Sequence, residues 1–305
     1  MRRKYEGRPV LRTPVVVAGN NEKYIRKAFA SDCDCIVMDT EDGVPPNFKK
    51  KARKMIHDTL NSDLVDGRPV FVRINSLETG ETKADIDGVA CENLDGFVYT
   101  KPYSEGDIQI LDVMLSKKEE ELGVDDGYFK VIVIIETPSS VLNVHKIAFS
   151  SKRLVGLLFG AEDLLGDMEG FHGPDGRTLH MARSQVLLAC RAAGLIPIDT
   201  PFIKVHDDKA LEEFIVPALE LGYEGMLLIS PSQIETAKRM YTPDISKVKD
   251  AYKMSEIAKG TDIEGRGVSV HNKLFISPPT LKRAVNIIKR YENILEFEKH
   301  IENTK

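Results

Sequence analysis

Acidic and basic side chains recur at the ends of short apolar runs in this sequence, and their types define the chemistry they could do together. Asp39, Glu41 and Asp42 close one run, Arg73 and Asn75 the next, and Lys101 the one after. Glu136 terminates Val131-Ile132-Val133-Ile134-Ile135, and Asp163 follows Leu157-Leu158-Phe159-Gly160. A carboxylate at the end of an otherwise apolar strand is costly to desolvate, so Glu136 must meet a cation or hold a proton. Glu136 and Asp163, with no Cys or His near them, suit a hard, oxygen-seeking cation such as Mg2+. A structural arrangement is equally open at this point, with Glu136 paired to Arg73 and Asp163 capping the following helix. Arg73 could bind a substrate carboxylate or carbonyl, or stabilise a developing enolate; it could also simply pair with the acidic cluster at 39–42. Gly160 and Ala161 precede a helix start, where backbone N–H groups can receive a carboxylate. The seven histidines form no HExxH or comparable ligand spacing, and no nucleophile elbow or Walker loop is present. His206 reads as a surface or packing residue, and Lys49-Lys50-Lys51 as a solvated helix face.

Bringing these charges to one place requires a fold that gathers strand ends. Apolar runs, most of them rich in Val and Ile, at 14–19, 35–40, 68–75, 96–102, 130–136, 154–160, 196–201 and 225–230 predict parallel strands covered on both faces. Apolar residues at helical spacing predict helices over 49–60, 108–122, 182–193 and 210–221, the last two ended by Gly194 and Gly222. Eight strands, each followed by a helix, make an α/β TIM (β/α)8 barrel, whose active site lies at the C-terminal strand ends. An open doubly wound sheet is the runner-up, but no Gly-rich dinucleotide turn follows the first strand. Residues 231–241 read as the eighth helix. After it come helices over 245–259 and 278–302, with an alternating stretch between them that follows Gly265-Arg266-Gly267 and runs through Phe275. We divide the chain into a barrel domain, 1–241, and a C-terminal helical lid or oligomerisation arm, 242–305.

Composition narrows the function classes. A chain of 305 residues with 42% hydrophobic and 29% charged residues is globular, and one barrel needs about 250 residues. A net charge of −5 supplies no global field for nucleic acid. No apolar run approaches the roughly 20 residues needed to span a bilayer, and residues 15–17 are too short for a signal-peptide core, so no membrane association and a cytoplasmic location are expected. Cys33, Cys35, Cys91 and Cys190 are too few and too irregular for a disulfide framework.

Several ordered motifs resemble the citrate lyase beta subunit and malyl-CoA lyase family, within the broader HpcH/HpaI aldolase superfamily. They are Val37-Met38-Asp39-Thr40-Glu41-Asp42, Val72-Arg73-Ile74-Asn75, Ile135-Glu136-Thr137-Pro138 and Leu158-Phe159-Gly160-Ala161-Glu162-Asp163-Leu164, followed by Ala182-Arg183-Ser184, Ala193-Gly194-Leu195-Ile196-Pro197-Ile198-Asp199 and Pro231-Ser232-Gln233-Ile234. The resemblance implies Mg2+ held by Glu136 and Asp163, Arg73 at the reacting carbonyl, and Glu41 and Asp42 orienting water at the metal. Gly160, Ala161 and Lys101 join Arg73 and Glu136 as expected substrate-binding residues. The implied substrate is a short 3-hydroxyacyl thioester of CoA or of an acyl carrier protein, cleaved to an acyl thioester and a 2-oxo acid. The implied assembly is a trimer or hexamer with lids crossing between subunits. The chain departs from the family pattern at Ala18-Gly19, at Ser230, and at Ser277, where the family often carries an acid before its last helix. That last change places thioester hydrolysis, rather than the metal-centred step, at risk. A metal-dependent aldolase on a free hydroxy-oxo acid and a catalytically reduced assembly subunit are the alternative readings.

Overall fold

The computed structural model describes residues 4–173, 176–260, 269–271 and 274–304. Eight strands run side by side in chain order: β1 (Pro14–Ala18), β2 (Cys35–Asp39), β3 (Val70–Ile74), β4 (Gly96–Tyr99), β5 (Lys130–Ile135), β6 (Leu154–Phe159), β7 (Ile196–Asp199) and β8 (Gly225–Met226). Each neighbouring pair is parallel. The ring closes where Val15 bridges Leu228, with Val16 N–H donating to Leu228 O at 2.9 Å and Leu228 N–H to Pro14 O at 2.8 Å. The expected barrel is present. β8 is shorter than the apolar pattern suggests, because Ser230 caps a tight turn at Pro231–Gln233.

The helices between strands are α1 (Glu22–Phe29), α2 (Lys49–Leu60), α3 (Thr82–Val89), α4 (Glu105–Leu122), the short pair α5 (Pro138–Leu142) and α6 (Val144–Ala148), α7 (Ala161–Asp167), α8 (Arg177–Ala192) and α9 (Asp208–Leu221), with α10 (Ile234–Tyr241) after β8. α4 begins before its apolar pattern does, because Ser104 and Asp107 satisfy each other's backbone amides in a capping box.

Strand alternation sorts the side chains. Cys35 and Val37 of β2, Phe71 of β3, Val98 of β4, Ile132 and Ile134 of β5, Leu158 of β6 and Ile198 of β7 form one apolar cluster, the barrel interior. Ile36, Met38, Val72, Ile74, Val133 and Ile135 point the other way and pack beneath the helices. Two residues on from Val37, Phe71 and Ile134, the same parity turns Asp39, Arg73 and Glu136 inward at the C-terminal mouth.

The extension comprises α11 (Ile245–Gly260), an antiparallel hairpin of β9 (Ser269–His271) and β10 (Leu274–Ile276), and α12 (Pro278–Glu302). Ile294, Phe297 and Ile301 of α12 pack against Val10 and Tyr5, and Glu298 accepts from Arg12 at 2.9 Å. Arg290 donates to the carbonyls of Glu224 and Tyr241. Arg12 precedes β1 and Glu224 precedes β8, so α12 lies across the N-terminal end of the barrel, away from the mouth. The extension is helical as expected, but its final helix does not cover the mouth of its own barrel. Gly265, Arg266 and Gly267 lie outside the described residues. Among the described residues no helix is long and apolar enough to cross a membrane.

Candidate active site

Asp39 and Arg73 are register partners on β2 and β3 and meet in a two-point ion pair, Nε to Oδ1 at 2.7 Å and Nη2 to Oδ2 at 2.5 Å. Asp39 also accepts the backbone N–H groups of Glu41 and Gly43 at 2.9 and 2.8 Å, which shapes the loop after β2 around it. The remaining Arg73 nitrogen lies 3.2 Å from Glu41 Oε2. Burial works against the Arg73 charge, but Asp39, Glu41 and Glu136 outweigh it and raise its pKa. Of the two partners weighed from sequence, Arg73 therefore takes the acidic loop rather than Glu136 for its direct bonds.

Lys101 follows β4 in the left-handed region, with φ of 50°, a conformation of order 1–2 kcal/mol above the right-handed one for a side chain of this kind. Its ammonium meets Glu41 Oε1 at 2.8 Å, Asp42 Oδ2 at 3.0 Å and Asp163 Oδ1 at 3.5 Å. Burial alone would lower the Lys101 pKa; Glu41 and Asp42 more than reverse this and keep it charged. Burial pushes Glu41 up against the pull of Arg73 and Lys101, whereas for Asp42 the bonds to Lys101 and Glu41 overcome burial and lower it. Lys49 is not part of a solvated face, as the charge run suggested. It donates to Thr40 O at 2.9 Å and Asn75 Oδ1 at 2.5 Å, while Asn75 Nδ2 donates to Thr40 O and Asp85. Only Lys50 and Lys51 of that run are exposed.

Glu136 is 4% exposed, and among the described residues its Oε1 accepts no hydrogen bond. Burial first, and then the charge of Asp163, push its pKa up to about 8, against the opposing pull of Lys101 and Arg73. Gly160 makes room for it: a Cβ at that position would come within 2.4 Å of Glu136 Cβ and 2.8 Å of Oε2. Thr137, next in the chain, caps α5 together with Ser140, which anchors the end of β5. Asp163 stands in the first turn of α7 with its side chain 43% exposed; it is not the cap, since α7 starts from Gly160 without a side-chain cap bond. Glu136 is thus a buried carboxylate with an idle oxygen beside a second carboxylate, and among the described residues no cation pairs with it directly. Oxygen-only donors fit a hard divalent ion, and two protein carboxylates leave its other positions to water and substrate. Among the described residues no three His, Cys, Asp or Glu converge as a metal cluster.

Two expectations are corrected here. Gly160 N–H already donates to Ile135 O at 3.0 Å, and Ala161 N–H to Thr200 Oγ1 at 3.0 Å. Strand pairing and the threonine that follows β7 thus already accept from the two amides that were to receive a substrate carboxylate. Other motif residues are structural: Arg183 and Asp199 form a buried two-point pair joining α8 to β7, and Gln233 joins Phe202 O to Ile229 N–H. Ser230 and Ser277 are helix caps, the latter sharing a capping box with Thr280. His206 is exposed and the four cysteines are buried, none of them in a disulfide. Sequence reasoning placed Asn75 at its strand end without a role, and did not single out Lys49 or Thr200 as site supports, nor Asp39 as the specific partner of Arg73. Alternation counted from Val37 would have turned Asp39 inward; the other three needed the fold.

The profile of the HpcH/HpaI aldolase/citrate lyase family matches residues 12–231. The chain belongs to this family. Citrate lyase subunit beta of Leuconostoc mesenteroides subsp. cremoris is 30% identical over 278 residues, covering 91% of this chain and 92% of its own. The mitochondrial citramalyl-CoA lyase of Rattus norvegicus is 29% identical over 297 residues, covering 93% and 87%. A solved citrate lyase from Burkholderia xenovorans superposes with a TM-score of 0.82 at 20% identity over 92% of each chain, which shows the shared fold. The CitE protein of Mycobacterium tuberculosis, solved with magnesium, acetoacetate and coenzyme A, superposes at 0.74 with 23% identity, covering 93% of this chain and 99% of its own.

Proposed function

We propose that this chain is a magnesium-dependent carbon–carbon lyase that cleaves, or forms, a short 3-hydroxyacyl thioester, releasing an acyl thioester and a 2-oxo acid. The observation that carries this reading is the buried Glu136, with an unpartnered oxygen beside Asp163, set at the mouth of a barrel of this family. Glu136 and Asp163 would hold the magnesium ion, which when bound supplies Lewis acidity to the oxo-acid half of the substrate. Arg73 enters the reaction already oriented, because Asp39 fixes its plane at two points. Its N–H groups not spent on Asp39 and Glu41 would meet the oxygen that gains charge as the carbon–carbon bond breaks. Glu41 and Asp42, tied by Lys101, would orient water at the mouth, and Lys101 would add a second cation for an anionic substrate. Relatives named for CoA substrates support a thioester; CoA or an acyl carrier protein would deliver it, to a homo-oligomer that we expect to be a trimer or hexamer.

Purified protein assayed against citramalyl-CoA, malyl-CoA, β-methylmalyl-CoA and citryl-CoA should release a 2-oxo acid from at least one, only with Mg2+ present. Silence on all four, with Mg2+ bound, would overturn the thioester reading and shift the function to a free-acid aldolase or an assembly subunit.

A further inference from the structure

At the edge of the barrel bottom, α12 and the junction of α10 with α11 enclose a cavity of about 1100 Å3 whose charge the fold does not neutralise. Arg8, Arg191, Arg239, Lys247, Lys289 and Arg290 line it, against two lining carboxylates, Glu224 and Asp244, and Glu212, which pairs with Arg239. In a chain of net charge −5 this is a local reversal of sign. The carboxylates are already committed. Arg8 bridges both oxygens of Glu224 at 2.7 and 3.0 Å, and Arg191 donates to the same group. Asp244 Oδ1 accepts Ser246 N–H at 2.9 Å and Lys247 N–H at 3.3 Å, capping the start of α11.

Arg290 is therefore a third guanidinium beside one spent carboxylate. Its hydrogen bonds go to carbonyls, Nη2 to Glu224 O at 3.1 Å and to Tyr241 O at 2.6 Å. Burial and the like charges of Arg191 and Arg8 lower its pKa in spite of Glu224. Crowded cations half-removed from water repel one another until an anion joins them. Guanidinium forks with lysines around them match phosphate oxygens, and the volume is at the upper end for a small-molecule site. Apolar walls at Leu219, Met240 and Ile287 suit a flat organic group beside the charge.

We propose that this cleft binds a small molecule carrying a di- or triphosphate, at the end of the barrel opposite the mouth. The assignment stands on the cleft alone and does not depend on the reaction proposed for the mouth. The test is calorimetric titration of the full chain, in the presence of a chelator, with ATP and separately with inorganic tripolyphosphate. Binding of both with equal affinity would identify the polyphosphate itself as the ligand, and tighter binding of ATP a nucleotide. Lys247→Ala with Lys289→Ala, two exposed side chains whose loss leaves the fold intact, should weaken binding about tenfold or more. Arg290→Gln should abolish it, with circular dichroism reporting whether that variant folds. The double mouth variant Glu136→Gln with Asp163→Asn should bind as the parent does. Absence of binding by both probes, or binding lost in the mouth variant and kept in the lysine pair, would overturn the proposal.

Discussion

Each end of the barrel carries an arginine clamped at two points by an aspartate, and the two differ in what is left over. At the bottom, Arg12 is 2% exposed and every guanidinium nitrogen has a partner: Nε and Nη2 reach Asp34 at 2.7 and 2.8 Å, Nη1 reaches Thr242, and Nη2 also reaches Glu298. Around the same end, Arg68 holds Asp66 and the carbonyls of Phe29 and Ser31, and Arg153 joins Glu119, Asp112 and Asp126. At the mouth, Arg73 is clamped by Asp39 in the same way, yet Glu136 keeps an idle oxygen, and Glu41, Asp42 and Asp163 share the single ammonium of Lys101. Identical residue types thus serve opposite ends. Where a buried arginine and its aspartate meet directly, the pair joins elements of the fold; where a buried carboxylate keeps an unpartnered oxygen beside a second carboxylate, the imbalance favours a cation.

Four experiments would break or sharpen that contrast. The largest effect should come from Glu136→Ala or Asp163→Ala, which should bring Mg2+-dependent turnover below detection while the thermal melt in chelator stays within a few degrees of the parent; normal activity in either variant would remove the metal assignment. Arg12→Ala should do the reverse, costing about 3–5 kcal/mol because Asp34 is left buried and unpaired, with kcat of the surviving folded protein unchanged. A denaturant titration beside a kinetic assay separates these. Arg73→Ala should lower kcat about 100- to 1000-fold, the loss of one preorganised donor to a developing oxyanion, with far less effect on KM; a loss confined to KM would make Arg73 a binding residue only.

The smallest effect is in pH, and its sign differs between the ends. In chelator, Glu136 has a folded pKa of about 8 against an ordinary 4.5, so the fold favours its protonated form. The stability this lends is full below the ordinary value and is lost as pH rises through about 8, and saturating Mg2+ should remove the slope. Glu224 at the bottom is held down to about 2: burial opposes, but Arg8, Arg290 and Arg191 win. Its contribution, at most about 3 kcal/mol, is present above the ordinary value and lost as pH falls toward 2. Urea midpoints of the parent, Glu136→Gln and Glu224→Gln along both limbs should show each slope vanish only in its own variant.

Much of this is legible in the sequence itself. The eight apolar runs, most of them rich in Val and Ile, point to parallel strands, because strands covered on both faces must be apolar on both, and their count favours a barrel over an open sheet. A carboxylate ending such a run, as Glu136 does, marks the mouth because no apolar strand tolerates it elsewhere. The ordered motifs carried the family. The sequence could not show which partner each charge takes. Arg73 had Glu136 and the acidic loop within plausible reach, and only the β2–β3 register set it opposite Asp39. Lys49 read as a solvated face until the loop after β2 folded back onto it, and the amides of Gly160 and Ala161 read as free until β5 and Thr200 took them. The last helix read as a lid or an oligomerisation arm, and its packing on Arg12 and Val10, which sets it at the end of its own barrel opposite the mouth, was not legible. Residue type and spacing act locally and are fixed by the chain; hydrogen-bond partners and the sign of a cleft's charge depend on side chains tens to hundreds of residues apart, which only packing brings together.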